Sequence, residues 1–305
     1  NDVTPLIKTV EVEIGGQKID KHYSQWLDIY NELFETSHDY RTVMNTGSGT
    51  VTDADTAASV TCYIPLRFWF NRNPGLALPL IALQYHEVKV NVTLGAVTDL
   101  FGHVDATTAV ATSGESCVAT TGDGTKVGVV LSSADLLVNY LYLDTDERRR
   151  FAQVSHEYLI EQVQHTGVES EKTIDMTFNH PVKALFWTGA YWDSVKLQLN
   201  GHDRASVQAH DYYHLVQPYE SGLGHSGKSL TANTRAWATV ASGGNVGMYS
   251  FCLKPAEHQP SGTCNFSRID NARLDVGTGG NLWLFAMNYN VLRIMSGMGG
   301  LAYSN

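Results

Sequence analysis

The sequence predicts an all-β protein built from two similar antiparallel units in tandem, and three observations carry that prediction. First, alternating apolar and polar stretches end in turn-forming pairs. VEVEI, Val10 to Ile14, runs into Gly15 and Gly16, and VKLQL, Val195 to Leu199, runs into Asn200 and Gly201. Second, these stretches lie 185 positions apart (Val10 and Val195), and EVKVNV from Glu87 matches NARLDV from Asn271 at 184, which is the mark of a duplication. Third, only 17% of the 305 residues are charged, so Ser, Thr, Asn, Gln and Gly must supply the polar surface, a balance that suits sheets joined by many turns. Short strands of this kind in units of about 150 residues form sandwiches or barrels.

Along the chain, the first hairpin is followed by SQWLDIYNELF, Ser24 to Phe34. It places Trp26, Ile29, Tyr30, Leu33 and Phe34 on one face with Ser24 as cap, and predicts the longest helix. LALPLIAL, Leu76 to Leu83, is the most apolar run, but Pro79 interrupts it and it is far too short to span a bilayer. After the strand from Glu87, residues 93–134 are rich in Ala, Thr, Gly and Ser and are expected to form a long exposed loop with little counterpart downstream. A third pairing sets LLVNYLYLDTDERRR, from Leu136, against LWLFAMNYNVLRI, from Leu282; its smaller offset of 146 puts the length difference in that loop.

TDERRRFAQ, from Thr145, carries its acids first and Arg148, Arg149 and Arg150 later, as a short helix favours. It is expected to connect units spanning 1–150 and 151–305, which meet near Asp144 to Phe151. Before Asn200 stand three strand-like segments, YLIEQVQHTGVE, KTIDMTFN and VKALFWTGAYW, whereas only 14 residues precede Gly15. The first unit is therefore expected to lack its opening strands.

The formal charge of −10 opposes binding to phosphate backbones, so no direct nucleic-acid contact is expected. Cys62, Cys117, Cys252 and Cys264 form no C-x-x-C pair and read as reduced, buried thiols. His210 and His214 in HDYYH are spaced like ligands, yet the segment lacks helical character and reads as loop or strand. No H-x-H cluster supports a cupin metal site. Ser261 to Cys264 sits in a proline-led turn without a nucleophile elbow, and SGMGG, Ser296 to Gly300, lacks the Lys-Ser/Thr of a phosphate loop and reads as a flexible closing turn. No catalytic residue, cofactor or metal ligand is assigned, and no enzyme is expected. Asn91 and Asn265 head N-x-S/T sequons and are candidate glycosylation sites. As an alternative, Trp187, Tyr191 and Trp192 could line the groove of a carbohydrate-binding module, although their strand spacing sends them into a sandwich core.

Several stretches resemble the major capsid proteins of nucleocytoplasmic large DNA viruses, most closely the algal-virus branch. They include EVEIGGQKIDKHY (Glu11 to Tyr23), PGLALPLIALQYHEVKV (Pro74 to Val90), YLDTDERRRFAQ (Tyr142 to Gln153), FNHPVKALFW (Phe178 to Trp187), QPSGTCNFSRIDNARL (Gln259 to Leu274) and NYNVLRIMSGMGGLAYSN (Asn288 to Asn305). The resemblance implies a tandem double jelly roll, two antiparallel eight-stranded sandwiches with the first incomplete at its N-terminus. It further implies a homotrimer forming a pseudo-hexagonal capsomer, neighbouring capsomers and minor capsid proteins as partners, surface glycans, and a place in the outer shell of a virion assembled in the host cytoplasm.

Overall fold

The computed structural model describes residues 6–35, 63–95, 118–120, 126–128, 133–189, 192–224, 246–277 and 281–303. Strands β1 (Ile7–Ile14) and β2 (Gln17–Tyr23) form the first hairpin, and β3 (Val88–Leu94) pairs along the other side of β1. Gly15 and Gly16 turn the chain at φ 59° and 83°. A Cβ at Gly15 would also fall 2.2 Å from His86 Nδ1, so the turn and its neighbour both require glycine.

Helix α1 (Ser24–Leu33) follows at once. The cap position belongs to Tyr23; Ser24 already lies inside the helix and its Oγ donates to Gln25 Oε1 at 3.0 Å. A short helix α2 (Trp69–Arg72) and a 3-10 turn at Pro74–Leu76 lead into β3. The expected 93–134 loop starts inside β3 and contains a small hairpin, β4 (Val118–Thr120) with β5 (Lys126–Gly128). Residues 96–117, 121–125 and 129–132 of that loop lie outside the described residues, as does Cys62. Helix α3 (Thr145–Gln153) has Asp146 and Glu147 in its first turn and Arg150 in its last, in line with the helix dipole.

The second half supplies β6 (His156–Glu169), β7 (Thr173–Asp175), β8 (Pro181–Gly189), β9 (Ser194–Leu199), β10 (His202–Ala209), β11 (Gly247–Ser250), β12 (Cys264–Asn265), β13 (Ala272–Val276), β14 (Leu282–Met295) and β15 (Met298–Leu301). Two antiparallel sheets result, β6-β14-β8-β11 and β7-β13-β9-β10, with β12 on β8 and β15 on β14. Apart from the β9–β10 hairpin and the short β12 and β15, successive strands alternate between the two sheets, in the jelly-roll order. SGMGG, expected as a flexible closing turn, does supply a turn: Ser296 and Gly297 (φ 52° and 81°) reverse the chain between β14 and β15, and Met298 to Gly300 belong to β15.

The repeat is physical. Asn200 and Gly201 turn at φ 51° and 76°, and the order β10-β9-β13 copies β2-β1-β3. Even the register recurs: Ile14 faces Val88, and Leu199 faces Ala272, which lie 185 and 184 positions downstream. Both hairpins run into a helical segment, α1 after β2 and, after β10, a π-helical turn at Tyr212–Val216 continuing into α4 (Gln217–Glu220). The non-helical reading of His210 to His214 is therefore corrected. Propensity in DYYHLVQPYE is weak, and packing holds the helix instead. Tyr213 is buried with its hydroxyl donating to Val195 O at 3.2 Å, and His214 Nδ1 lies 2.7 Å from Val246 O.

The third pairing fares differently. β14 is flanked by β6 and β8, whereas no strand pairs with Leu136 to Leu143 among the described residues, and that stretch has no regular structure. Its side chains face solvent, Leu137 at 79% and Tyr142 at 94% exposure.

The core explains why β8 and β14 read as continuous apolar runs: both their faces are covered. Leu185, Trp187, Leu284 and Ala286 point between the two sheets, against Val195, Leu197 and Leu274. Gly247 makes room there, since a Cβ would meet Trp187 Nε1 at 2.3 Å. Ala184, Phe186, Phe285 and Met287 point the other way and receive Trp26, Ile29 and Leu33 of α1. A further cluster joins Val10, Val12, Ile14 and Trp69 to Ile160, Leu292 and Ile294, so the two halves share apolar cores.

Candidate functional site

The chemistry-bearing residues picked from sequence do not converge. His210 and His214 come within 5.0 Å, ring centre to ring centre, but are buried beside Trp192 and Tyr213, and among the described residues no group of three or more His, Cys, Asp or Glu could hold a metal. Ser261 Oγ accepts from Lys254 N at 3.0 Å, a loop bond, while Cys264 opens β12. Cys252 is buried and Cys264 half-buried, both as free thiols. Trp187 and Trp192 are fully buried, packed edge to face at 5.6 Å, which removes the aromatic groove of the carbohydrate reading; Tyr191 lies outside the described residues. Asn91 and Asn265 are exposed, on β3 and β12. Asn91 Nδ2 donates to Glu13 Oε2 at 3.3 Å, and Asn265 Oδ1 accepts from Ser267 N at 3.1 Å.

What the fold does assemble is a polar seam between its halves. On the β2–β6 side, Val163 N donates to Asp20 Oδ1 at 3.0 Å, and Gln162 Nε2 donates to Ile19 O. Asn290 Nδ2 on β14 donates to Gln162 Oε1 at 2.9 Å, extending the seam. Asp20 Oδ2 lies 2.9 Å from His22 Nε2, and the His22 ring stacks on Phe68 at 4.3 Å.

Deeper in the seam, Glu161 of β6 accepts from two cations. Arg72 of α2 reaches Oε2 at 2.6 Å from the first half, and Lys183 of β8 reaches Oε1 at 2.6 Å. Lys183 can point there because the β8–β14 ladder skips it: Val182 faces Asn288 and Ala184 faces Met287, a bulge that re-aims one side chain. Its Nζ also donates to Glu257 O at 3.0 Å and lies 5.0 Å from the Tyr289 ring centre. Burial lowers the Lys183 pKa, and Glu161 offsets part of the effect. For Arg72 burial also acts downward, but Glu161 and Tyr30 outweigh it and the pKa rises. Tyr30, Trp69, Arg72, Glu161 and His258 border a cleft of about 270 Å³ beside this cluster. No sequence motif announces these charges, because Glu161 and Lys183 meet only through the sheet of the second half and Arg72 joins them only when the halves meet.

A second ionisable group marks the seat of α1. His165 of β6 stacks on Phe285 at 4.6 Å and Trp283 at 5.2 Å, with Tyr23 at 4.6 Å, and its Nε2 has no hydrogen-bond partner. Burial pushes its pKa from 6.5 to about 4. Between these values the unfolded chain binds the proton more readily, so this stabilisation is complete above about pH 6.5 and is lost as pH falls toward 4. Allowing for the side chain's partial exposure, the loss is about 1–2 kcal/mol. His165→Phe should retain the stacking and flatten that limb. Urea midpoints at pH 7 and pH 5 test this, and equal acid slopes in both proteins would refute it.

A family model described as the major capsid protein N-terminus matches residues 3–144, and one described as the large eukaryotic DNA virus major capsid protein matches 147–191 and 188–300. The chain is 52% identical over 328 residues to a major capsid protein of Pyramimonas orientalis virus, covering 98% of this chain and 77% of the relative. It is 38% identical over 383 residues to that of Paramecium bursaria Chlorella virus 1, with 98% and 79% covered. The solved structure of PBCV-1 VP54, fitted into a cryo-EM reconstruction of the virophage Sputnik, aligns with a TM-score of 0.74 and 35% identity over 100% of this chain and 85% of that one.

Proposed function

Because the chain belongs to the major capsid protein family of large eukaryotic DNA viruses, we propose that three copies close into a ring whose six similar β units make one pseudo-hexagonal capsomer. The protein is structural, a double jelly roll of the virion's capsid shell, and not an enzyme. The observation that best supports the ring is the repeat, in which hairpin, following helix and third strand recur in the same order at offsets of 184 to 186. Two like units per chain give a trimer six like edges, so it can fill sixfold positions in a lattice of neighbouring capsomers.

Under this reading the units divide at α3, as 1–150 and 151–305, and the 93–134 segment lies with other connections on the outer rim. Minor capsid proteins bind beneath, glycans attach at Asn91 or Asn265, and assembly takes place in the host cytoplasm. The net charge of −10 favours a shell that does not itself grip the genome. No helix among the described residues is long and apolar enough to cross a membrane. Single-particle images of the concentrated protein should show a six-lobed outline. Round particles the size of one chain would count against the capsomer.

A further inference from the structure

Resting on the trimeric reading above, we infer that the exposed ridge Leu215, Val216 and Tyr219 is the subunit contact, seated against the first half of a second copy of this chain. The internal repeat, carried one step further, points to this ridge. Helix α1 has two apolar faces. Leu27 enters the core of its own half, while Ile29 and Leu33 cross to the sheet of the second half and are fully covered there. The corresponding helix follows β10, which is one residue longer than β2 (8 against 7), so equivalence runs at 186 rather than 185.

At that offset Leu27 corresponds to Tyr213, which likewise enters the core of its own half. Ile29, Tyr30 and Leu33 correspond to Leu215, Val216 and Tyr219, which are 38%, 40% and 84% exposed. The same ridge is therefore covered where a neighbouring unit exists and bare where the chain offers none. In a closed ring of six like units, the missing neighbour is the first half of the next copy.

That half presents a matching surface. Leu136 to Leu143 is an exposed apolar strip, with Leu141 at 63% exposure, and it leads directly into the exposed Arg148, Arg149 and Arg150 of α3. The ridge is flanked by the exposed acids Asp211 and Glu220, so charge as well as apolar surface is complementary. A tyrosine at the centre of such a contact is the side chain expected to dominate its energy.

The test uses the whole chain. Tyr219→Asp should leave the monomer's circular dichroism and melting unchanged, because the residue is on its surface, while weakening trimer formation about 100-fold in sedimentation equilibrium. In parallel, a Tyr219→p-benzoylphenylalanine chain should cross-link between copies, with adducts in residues 133–155. If the unmodified chain trimerises but Tyr219→Asp trimerises equally well, or the adducts fall within residues 156–305 of the neighbour, this inference is overturned while the trimer stands. If the unmodified chain never leaves the monomer, the trimeric reading fails and takes this contact with it. Should Tyr219→Asp fail to fold, the cross-link map alone decides.

Discussion

Glu161→Gln is expected to destabilise the protein by about 3–5 kcal/mol, because it leaves the buried Lys183 and the half-buried Arg72 facing each other with no anion between them. Glu161 is 3% exposed and Lys183 1%, so the burial cost falls mainly on the lysine. Lys183→Met is the milder change, about 1–3 kcal/mol, because the Arg72–Glu161 pair at 2.6 Å survives it. Combining the two should cost less than the sum of the singles, since removing Lys183 relieves the repulsion that Glu161→Gln creates. Urea-unfolding midpoints of the three variants test the order. A Glu161→Gln protein within 1 kcal/mol of the parent, about the worth of a surface pair, would show that the cluster is solvated and does not hold the halves.

The second large effect concerns the seat of α1. Trp26 is 1% exposed and lies 5.4 Å from Phe186 and 5.8 Å from Phe285. Trp26→Ala removes this contact from a packed sheet face and should cost about 3–5 kcal/mol, part of it as residual cavity. Trp26→Phe should lose far less, since the indole Nε1 has no hydrogen-bond partner to forfeit. Hydrogen exchange would locate the damage, with α1 amides exchanging faster in Trp26→Ala while β9 and β13 amides stay protected. Uniform loss of protection across both sheets would contradict the idea that α1 is a separable bridge between halves.

Elements governed by local rules could be read from the sequence. VEVEI-Gly-Gly and VKLQL-Asn-Gly had to be hairpins because alternation and positive φ are local demands, and their spacing exposed the duplication. VKALFWTG showed itself as a strand, though not that Phe186 and Trp187 serve opposite cores. Elements that depend on partners could not be read. DYYHLVQPYE is helical only because Tyr213 and His214 are anchored, and Leu136 to Leu143 has strand-like composition without a strand neighbour among the described residues. The Arg72–Glu161–Lys183 cluster was invisible for the same reason, since its members lie on three elements and one of them is aimed by a bulge. The capsid family is legible in motifs spread along most of the chain, which is how an assembly protein differs from an enzyme whose few site residues carry its signature.

The central claim, a capsid subunit that works as a threefold ring, is tested most directly by native mass. Sprayed from a volatile buffer at micromolar concentration, the chain of 33.5 kDa should appear as a single species of about 100 kDa, three chains. A spectrum that shows only the 33.5 kDa monomer at every concentration, or a dimer in place of the trimer, would contradict the account.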